Sequence, residues 1–400
     1  MKKEGNCLRS WCVSIIVNPF RHFLECAFRL KGELYMHMRK HRPDMVLLGA
    51  ILALLGIGFI MVYSSSSVRG YILFDDPYHF LKMETLWVIM GLVAMALSMM
   101  VDLRKLRRYV KPVLFIAIAL LIAVKIPGIG RRVNGADRWI GLGPLSIQPS
   151  EVIKLSMVFV MAHILALDPH KIQSFRKGVL PILGLLGVIA GLVMLQPDLG
   201  TTLVIAATAF FMLIAAGARV SHIVSLAGIG LGLVVAAIAA APYRMRRIFA
   251  FLDPWADPLG KGYQTIQGLL ALGPGGLFGL GLGQSRQKFL YLPENHTDFI
   301  FAMIGEELGF IGASLVISLF FLLAWRGFRV AMRAPDEFMG FLAVGLTAMV
   351  SIQAMINMGV VSGVLPVTGI TLPFISYGGT SLVFTMLGVG VLLNISREVR

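Results

Sequence analysis

The sequence predicts an all-α integral membrane protein of about ten transmembrane helices with a large, partly ordered external loop. Of its 400 residues, 57% are apolar and 14% charged, and the mean hydropathy is +0.81. Soluble domains run nearer half apolar and a quarter charged. Apolar runs of about 17 to 25 residues recur along the chain, each long enough to cross a hydrocarbon layer as a helix. Lys and Arg concentrate in alternate connections, the asymmetry that sets orientation in a membrane.

Residues 1–43 read as a basic cytoplasmic extension with little patterning. Cys7, Cys12 and Cys26 all fall there, too isolated for a disulfide framework or a metal site, so reduced thiols are expected. The apolar patch from Trp11 to Val17 is too short for a signal-peptide core, and no small-residue cleavage site follows it. Met36 and Met38 stand just ahead of Arg39, Lys40 and Arg42, so translation could begin there, leaving the preceding residues an artefact of the gene model.

Residues 44–398 then form one polytopic domain, with spans expected near 45–64, 83–101, 112–126, 149–167, 179–195, 199–216, 222–241, 298–324, 338–361 and 379–395. Both termini fall on one side. Assigning that side as cytoplasmic places most Lys and Arg inside, as the short-loop bias requires. The net charge of +15 is therefore mostly loop charge that orients the chain and attracts anionic lipid. No aromatic-interleaved basic module for nucleic acid is present. The cations that oppose the bias need a reason: Arg131, Arg132 and Arg138 in one external loop, and Arg244, Arg246, Arg247, Lys261, Arg286 and Lys288 in another.

The second of these loops, 242–297, is the longest connection, and connections beyond about 15 residues are usually functional or disordered. Its aromatics, prolines and the run GPGGLFGLGLG (Gly273 to Gly283) argue for order. The glycine run lacks the Gly-Lys-Ser/Thr ending of a phosphate cradle, so close helix packing or a re-entrant turn is expected. Asn295-His296-Thr297 matches a glycosylation sequon by chance.

Chemistry concentrates where this loop becomes a span, in YLPENHTDFIFAMIGEELG (Tyr291 to Gly309). Asp298 lies at the boundary, with Glu306 and Glu307 two turns deeper, where an ionised carboxylate needs a partner or a task. Thr297 and Asp298 could simply cap the helix and complement its dipole; the sharper reading makes Asp298 a catalytic base at the membrane surface. Glu151 and Lys154, three apart, share a face of the span entered through Pro149. They are either a structural ion pair or a functional one in which Lys154 holds a phosphate. Asp198, in Gln196-Pro197-Asp198-Leu199-Gly200, either caps the next helix or lines a site at its outer edge. The stretch from Leu365 to Ser381 is broken by Pro366, Gly369, Pro373, Gly378 and Gly379, and irregular backbone at membrane depth survives only against protein or a wet cavity. His79, His163 and His222 are scattered singly and lack zinc spacing.

Together, ADRWIGLGPLSIQPSEVIK, QPDLGTTLV, PYRMRRIFAFLDPWADPLGKGYQTIQ, GLGQSRQKFLYLPENHTDFIFAMIGEELGFIG and LPVTGITLPFISYGGTSL resemble the SEDS family, the membrane proteins of shape, elongation, division and sporulation. The likeness covers nearly all of 43–398, and the segments 251–255 and 281–288 look more like its division and sporulation members than its elongation members. It implies a ten-helix glycosyltransferase in the bacterial cytoplasmic membrane that polymerises lipid II at the outer face, paired with a class B penicillin-binding transpeptidase and other divisome or sporulation membrane proteins. It implies Asp298 as the essential acid, with Glu151, Lys154 and Asp198 lining the same cavity. The candidate set is thus Asp298 as catalytic base, with Glu151, Lys154, Asp198, Arg138, Arg244, Arg246, Arg247, Glu306 and Ser376 binding substrate.

The residues suit that chemistry. A sugar hydroxyl attacking a glycosyl pyrophosphate needs a base, whereas the leaving pyrophosphate needs positive charge and no general acid. One base without a nucleophile-and-acid pair points to a single inverting displacement. Whether a divalent cation such as Mg2+ or Mn2+ bridges the pyrophosphate is left open by the sequence. A lipid II flippase would also use intramembrane acids and broken helices, but spread through the bilayer depth, and a non-catalytic scaffold would leave the external acids and cations idle.

Overall fold

Asp44 ends the basic segment and starts the first helix by accepting hydrogen bonds from the amides of Val46 and Leu47. In the computed structural model, which describes residues 42–133, 136–142 and 145–399, that helix is α1 (Met45–Phe74), followed by α2 (His79–Met100) and α3 (Leu103–Ala123). A small sheet follows, β1 (Gly130–Val133), β2 (Ala136–Leu142) and β3 (Leu145–Ile147). The helices resume with α4 (Pro149–Leu167), α5 (Leu180–Met194), α6 (Leu199–Ala215) and α7 (Val220–Ala239). The long loop expected to be external holds α8 (Pro242–Leu252) and α9 (Tyr263–Leu272), and α10 (Ile300–Met332), α11 (Glu337–Val361) and α12 (Gly379–Glu398) complete the chain. The basic extension expected over 1–43, with its cysteines and Met36, lies almost wholly outside the described residues.

Among the described residues, eight helices are long and apolar enough to cross a membrane: α1, α2, α4, the 175–194 helix containing α5, α7, α10, α11 and α12. The other two expected spans are also helical but differ in kind. The span placed at 199–216 forms the 17-residue α6, apolar but short. The span placed at 112–126 starts earlier, at Leu103, because Asp102 caps it by accepting from the Arg104 amide. Its first three turns carry Arg104, Lys105, Arg107, Arg108 and Lys111, and Pro112 lies inside it. Among the described residues the sheet is the one departure from an all-helical expectation. It is antiparallel in the order β1-β2-β3, with Gly130 opposite Ile140 and Ile140 opposite Ile147. These pairings satisfy backbone groups of the loop between α3 and α4.

Burial separates centre from rim. The spans of α11 and α12 are 83% buried, whereas that of α7 is 6% buried, so α7 presents nearly its whole surface to its surroundings. On the side of the termini, Arg326 of α10 pairs with Asp44, whose amide donates to Ser396 Oγ. Asn394 Nδ2 donates to the carbonyls of Ser98 and Val101. These bonds close the ends of α1, α2, α10 and α12 onto one another.

At the opposite end, α10 breaks at Gly309, where φ is 67° and ψ is −164°. The glycine-rich loop repairs the break. Leu280 and Gly281 donate to the carbonyls of Glu306 and Glu307, while Phe310 and Ile311 donate to those of Gly276 and Leu277. An interrupted helix at membrane depth is tolerable when neighbouring backbone takes up its freed groups. Only glycine fits on the loop side, since a Cβ at Gly279 would collide with the Glu307 carbonyl.

Candidate active site

Asp298 precedes α10 in a loop held by three consecutive carbonyls. The His296 carbonyl accepts from the Tyr377 amide at 2.9 Å, that of Thr297 from Ser376 Oγ at 2.5 Å, and that of Asp298 from Asn357 Nδ2 at 2.8 Å. The donors come from α11 and the irregular 362–378 segment, so that segment fixes the position of the acid. Thr297 Oγ1 lies 3.1 Å from Asp298 Oδ1. Oδ2 faces Gly369, where an added Cβ would stand 3.9 Å away and where φ is +76°. Although Asp298 keeps a partly open face, protein crowds its carboxyl, and burial pushes it up to about 7. The negative charge of Glu294 adds to the rise, while the Thr297 hydrogen bond and the charge of Arg247 oppose it. A carboxylate poised near neutrality suits a general base.

Arg247 belongs to α8, where it is exposed and donates to the Val367 carbonyl at 3.2 Å. Arg246 is exposed beside it. Arg244 instead stacks on Tyr243 and donates to the Ala237 carbonyl, fastening α8 to α7. His296 packs against Phe80 and Tyr377. Burial, helped by the charge of Arg69, lowers it to about 4, so its ring is neutral near pH 7.

A second polar chain runs inward. Lys154 Nζ stands 2.7 Å from Glu151 Oε2, with side chains 5% and 7% exposed. Charge rather than a well-angled hydrogen bond joins the two, since Glu151 Oε2 has no hydrogen-bond donor. Lys154 also donates to Gln353 Oε1 at 2.6 Å, and Gln353 Nε2 donates to the Thr371 carbonyl at 2.9 Å. Thr371 lies two residues from Gly369, so the ion pair reaches the Asp298 loop through Gln353. Asp198 caps α6, accepting from the Thr201 amide and hydroxyl. Gly200 packs on Ile370 and the Thr368 carbonyl, which brings the start of α6 to the same segment.

The 365–376 segment therefore gathers Asp298, Arg247, Lys154 with Glu151, Asp198 and Ser376 around one backbone. Three of the expected residues are engaged elsewhere: Arg244, which fastens α8 to α7, and Glu306 and Arg138. Glu306 is 1% exposed and accepts from Ser285 Oγ and the Arg286 amide, anchoring the loop that repairs the α10 break. Arg138 donates to the carbonyls of Gln196 and Pro197, tying β2 to the turn before α6. Arg131 is exposed, and the side chain of Arg132 lies outside the described part. Asn295 of the sequon is 2% exposed, which leaves no room for a glycan. Among the described residues no group of three or more His, Cys, Asp or Glu could hold a metal ion.

Sequence reasoning passed over Glu294, Gln353 and Asn357. The two amides carried a usable signal: at a spacing of four they share one face of an otherwise apolar span, where polar side chains are costly.

The family model described as a cell cycle protein, covering FtsW, RodA and SpoVE, matches residues 45–400. The chain is 51% identical over 365 residues to stage V sporulation protein E of Bacillus subtilis, covering 91% of this chain and 100% of that one. It is 44% identical over 353 residues to a probable peptidoglycan glycosyltransferase FtsW of Trichlorobacter lovleyi, covering 88% and 93%. Among solved structures, a chain from work on the structural coordination of polymerization and crosslinking by a peptidoglycan synthase complex superposes with a TM-score of 0.73. It is 32% identical, with 89% of this chain and 98% of that one covered. The rod shape determining protein RodA of Thermus thermophilus gives a TM-score of 0.66 at 29% identity, covering 89% and 97%. With motif, fold and matched length in agreement, the chain belongs to the FtsW, RodA and SpoVE family of polytopic membrane proteins.

Proposed function

We propose that this protein is a peptidoglycan glycosyltransferase that polymerises lipid II into glycan strands at the outer face of the bacterial cytoplasmic membrane, with Asp298 as the base. The single observation that carries the reading is the Asp298 loop: a carboxyl raised to about 7, partly open, with Arg247 near enough to act on its charge. The relatives named as probable peptidoglycan glycosyltransferases support the reaction class. The synthase complex supports a crosslinking partner, which we take to be a class B penicillin-binding transpeptidase. The likeness to a sporulation protein and to FtsW supports use in division or spore cortex synthesis.

Asp298 Oδ2 removes the proton from the attacking sugar hydroxyl as its oxygen bonds to the anomeric carbon of the second lipid-linked sugar. The bond from that carbon to the pyrophosphate breaks, and the lipid pyrophosphate departs with the electron pair. Arg246 and Arg247, exposed on α8, supply the fork-shaped donors that suit phosphate oxygens. A single displacement inverts the anomeric centre. The deciding measurement incubates the purified protein and its transpeptidase partner with lipid II and resolves glycan polymer by length. Asp298→Asn is expected to fold and to lose a factor of about 10² to 10⁴ in rate, the usual contribution of a general base. Polymer within about threefold of wild type would overturn the assignment. Neutralising Arg246 and Arg247 together is expected to weaken lipid II binding, and unchanged binding and turnover would leave these cations a packing or topological role.

A further inference from the structure

Asp298 has a second carboxylate for a neighbour, and the two share one hydroxyl. Thr297 Oγ1 lies 2.8 Å from Glu294 Oε2 and 3.1 Å from Asp298 Oδ1, with the Glu294 carbonyl also at 3.1 Å. A threonine hydroxyl has one proton to give. It therefore satisfies one of the two carboxylates at a time, and the other stands beside a like charge. The backbone is arranged to keep this contact. Glu294 adopts φ 54°, in the left-handed region that a non-glycine residue enters at a cost. Its carbonyl accepts from the amides of Thr297 and Phe299, closing the turn that holds the two acids together. Arg69, near the outer end of α1, reaches Glu294 Oε1 at 3.7 Å.

We infer that Glu294 is a positioning residue for the base: it pairs with Arg69, it competes with Asp298 for the Thr297 hydroxyl, and it sets a second carboxylate against the one that takes the proton. The consequence is a stronger base, one that takes the sugar hydroxyl proton more readily once ionised. This rests on the proposed role of Asp298. The charged and titratable groups that bear on the pair are few. Arg247 of α8 acts on Asp298 and opposes Glu294. Arg69 of α1 acts on Glu294 and on His296, which is neutral near pH 7. Asn357 of α11 and the Gly369 side of the 365–376 segment bring no ionisable group.

The test is the pH dependence of glycan polymerisation by the purified protein with its transpeptidase partner, measured on lipid II between about pH 5.5 and 9. Wild type is expected to gain activity as the base ionises, with a midpoint near 7. Glu294→Gln removes the like charge and is expected to lower the midpoint by at least about half a unit. Thr297→Val removes the hydrogen bond to the anion and is expected to raise it. Opposite shifts from two neighbouring substitutions distinguish tuning of the base from local damage, which lowers the plateau and leaves the midpoint in place. A Glu294→Gln midpoint unchanged from wild type overturns the inference. Where that variant fails to accumulate, an unshifted or lowered Thr297→Val midpoint overturns it instead. Failure of the parent reading is separable, because it shows as an active Asp298→Asn variant.

Discussion

Glu151 and Lys154 show how little a residue pair reveals until its third partner is known. A buried ion pair that loses one member strands a charge and costs about 3 to 5 kcal/mol, whereas replacing both members with apolar residues is often neutral. A purely structural pair would therefore fail in the single variants and recover in the double one. Here Lys154 also holds Gln353, which holds the Thr371 carbonyl two residues from Gly369, the glycine that Asp298 faces. The expectation is that Glu151→Ala and Lys154→Ala reach the membrane yet polymerise poorly, and that the double Leu variant stays inactive. Membrane abundance measured alongside glycan synthesis checks it, and an active double variant would reduce the pair to a structural bridge. Gln353→Leu is expected to share the phenotype, since it cuts the same connection without stranding a formal charge.

At the scale of elements, the break in α10 and the glycine-rich loop form one unit. Four backbone bonds cross between them, and the acids just before the break fasten the loop from below. Glu306 accepts from Ser285 Oγ and the Arg286 amide, and Glu307 from Ser64 Oγ at 2.7 Å and the Gly283 amide at 3.1 Å. These carboxylates occur at membrane depth because irregular backbone must find its acceptors inside the protein. Gly309→Ala is expected to destabilise strongly. It strains a positive φ, and its Cβ would press on the Gly279 amide and the Leu277 carbonyl. A fall in thermal stability in detergent of several degrees checks this. Gly184, which has nothing within 4 Å of an added Cβ, serves as the control, and Gly184→Ala is expected to leave stability nearly unchanged.

The whole molecule is organised by an asymmetry between its two ends. The end that carries the termini is closed by Asp44, Arg326, Ser396 and Asn394. The opposite end carries Asp298, the α8 arginines and the small sheet. The distribution of Lys and Arg leads us to expect the closed end in the cytoplasm, and the expectation is directly testable. Leu259, 91% exposed in the loop between α8 and α9, is expected to react from outside the cell with a membrane-impermeant thiol reagent once changed to Cys. The exposed Phe175, between α4 and α5, is expected to react only after the membrane is opened. Background from Cys7, Cys12 and Cys26 is removed by prior substitution. The reverse pattern would invert the orientation and move the base to the wrong face for polymerisation.

Much of this was legible in the chain because a bilayer makes composition decisive. Span length, the apolar runs and the charge bias follow from the cost of exposing backbone and charge to hydrocarbon, and each is a property of consecutive residues. The position of Asp298 at the mouth of a span, the capping role open to Asp198 and the pairing of Glu151 with Lys154 are local and were readable for the same reason. What only the tertiary structure decided lies between segments far apart in sequence. Glu306 faces the glycine loop rather than Asp298, and Arg138 is consumed by two carbonyls of the turn before α6. Asn357 reaches the Asp298 carbonyl across 59 positions, and Lys154 reaches Gln353 across 199. Hydrogen bonds fix orientation over about 3 Å, while sequence patterns fix only which face a residue occupies. The set of acids and cations was therefore written in the sequence, whereas packing decided which of them meet around Asp298 and which fasten other elements.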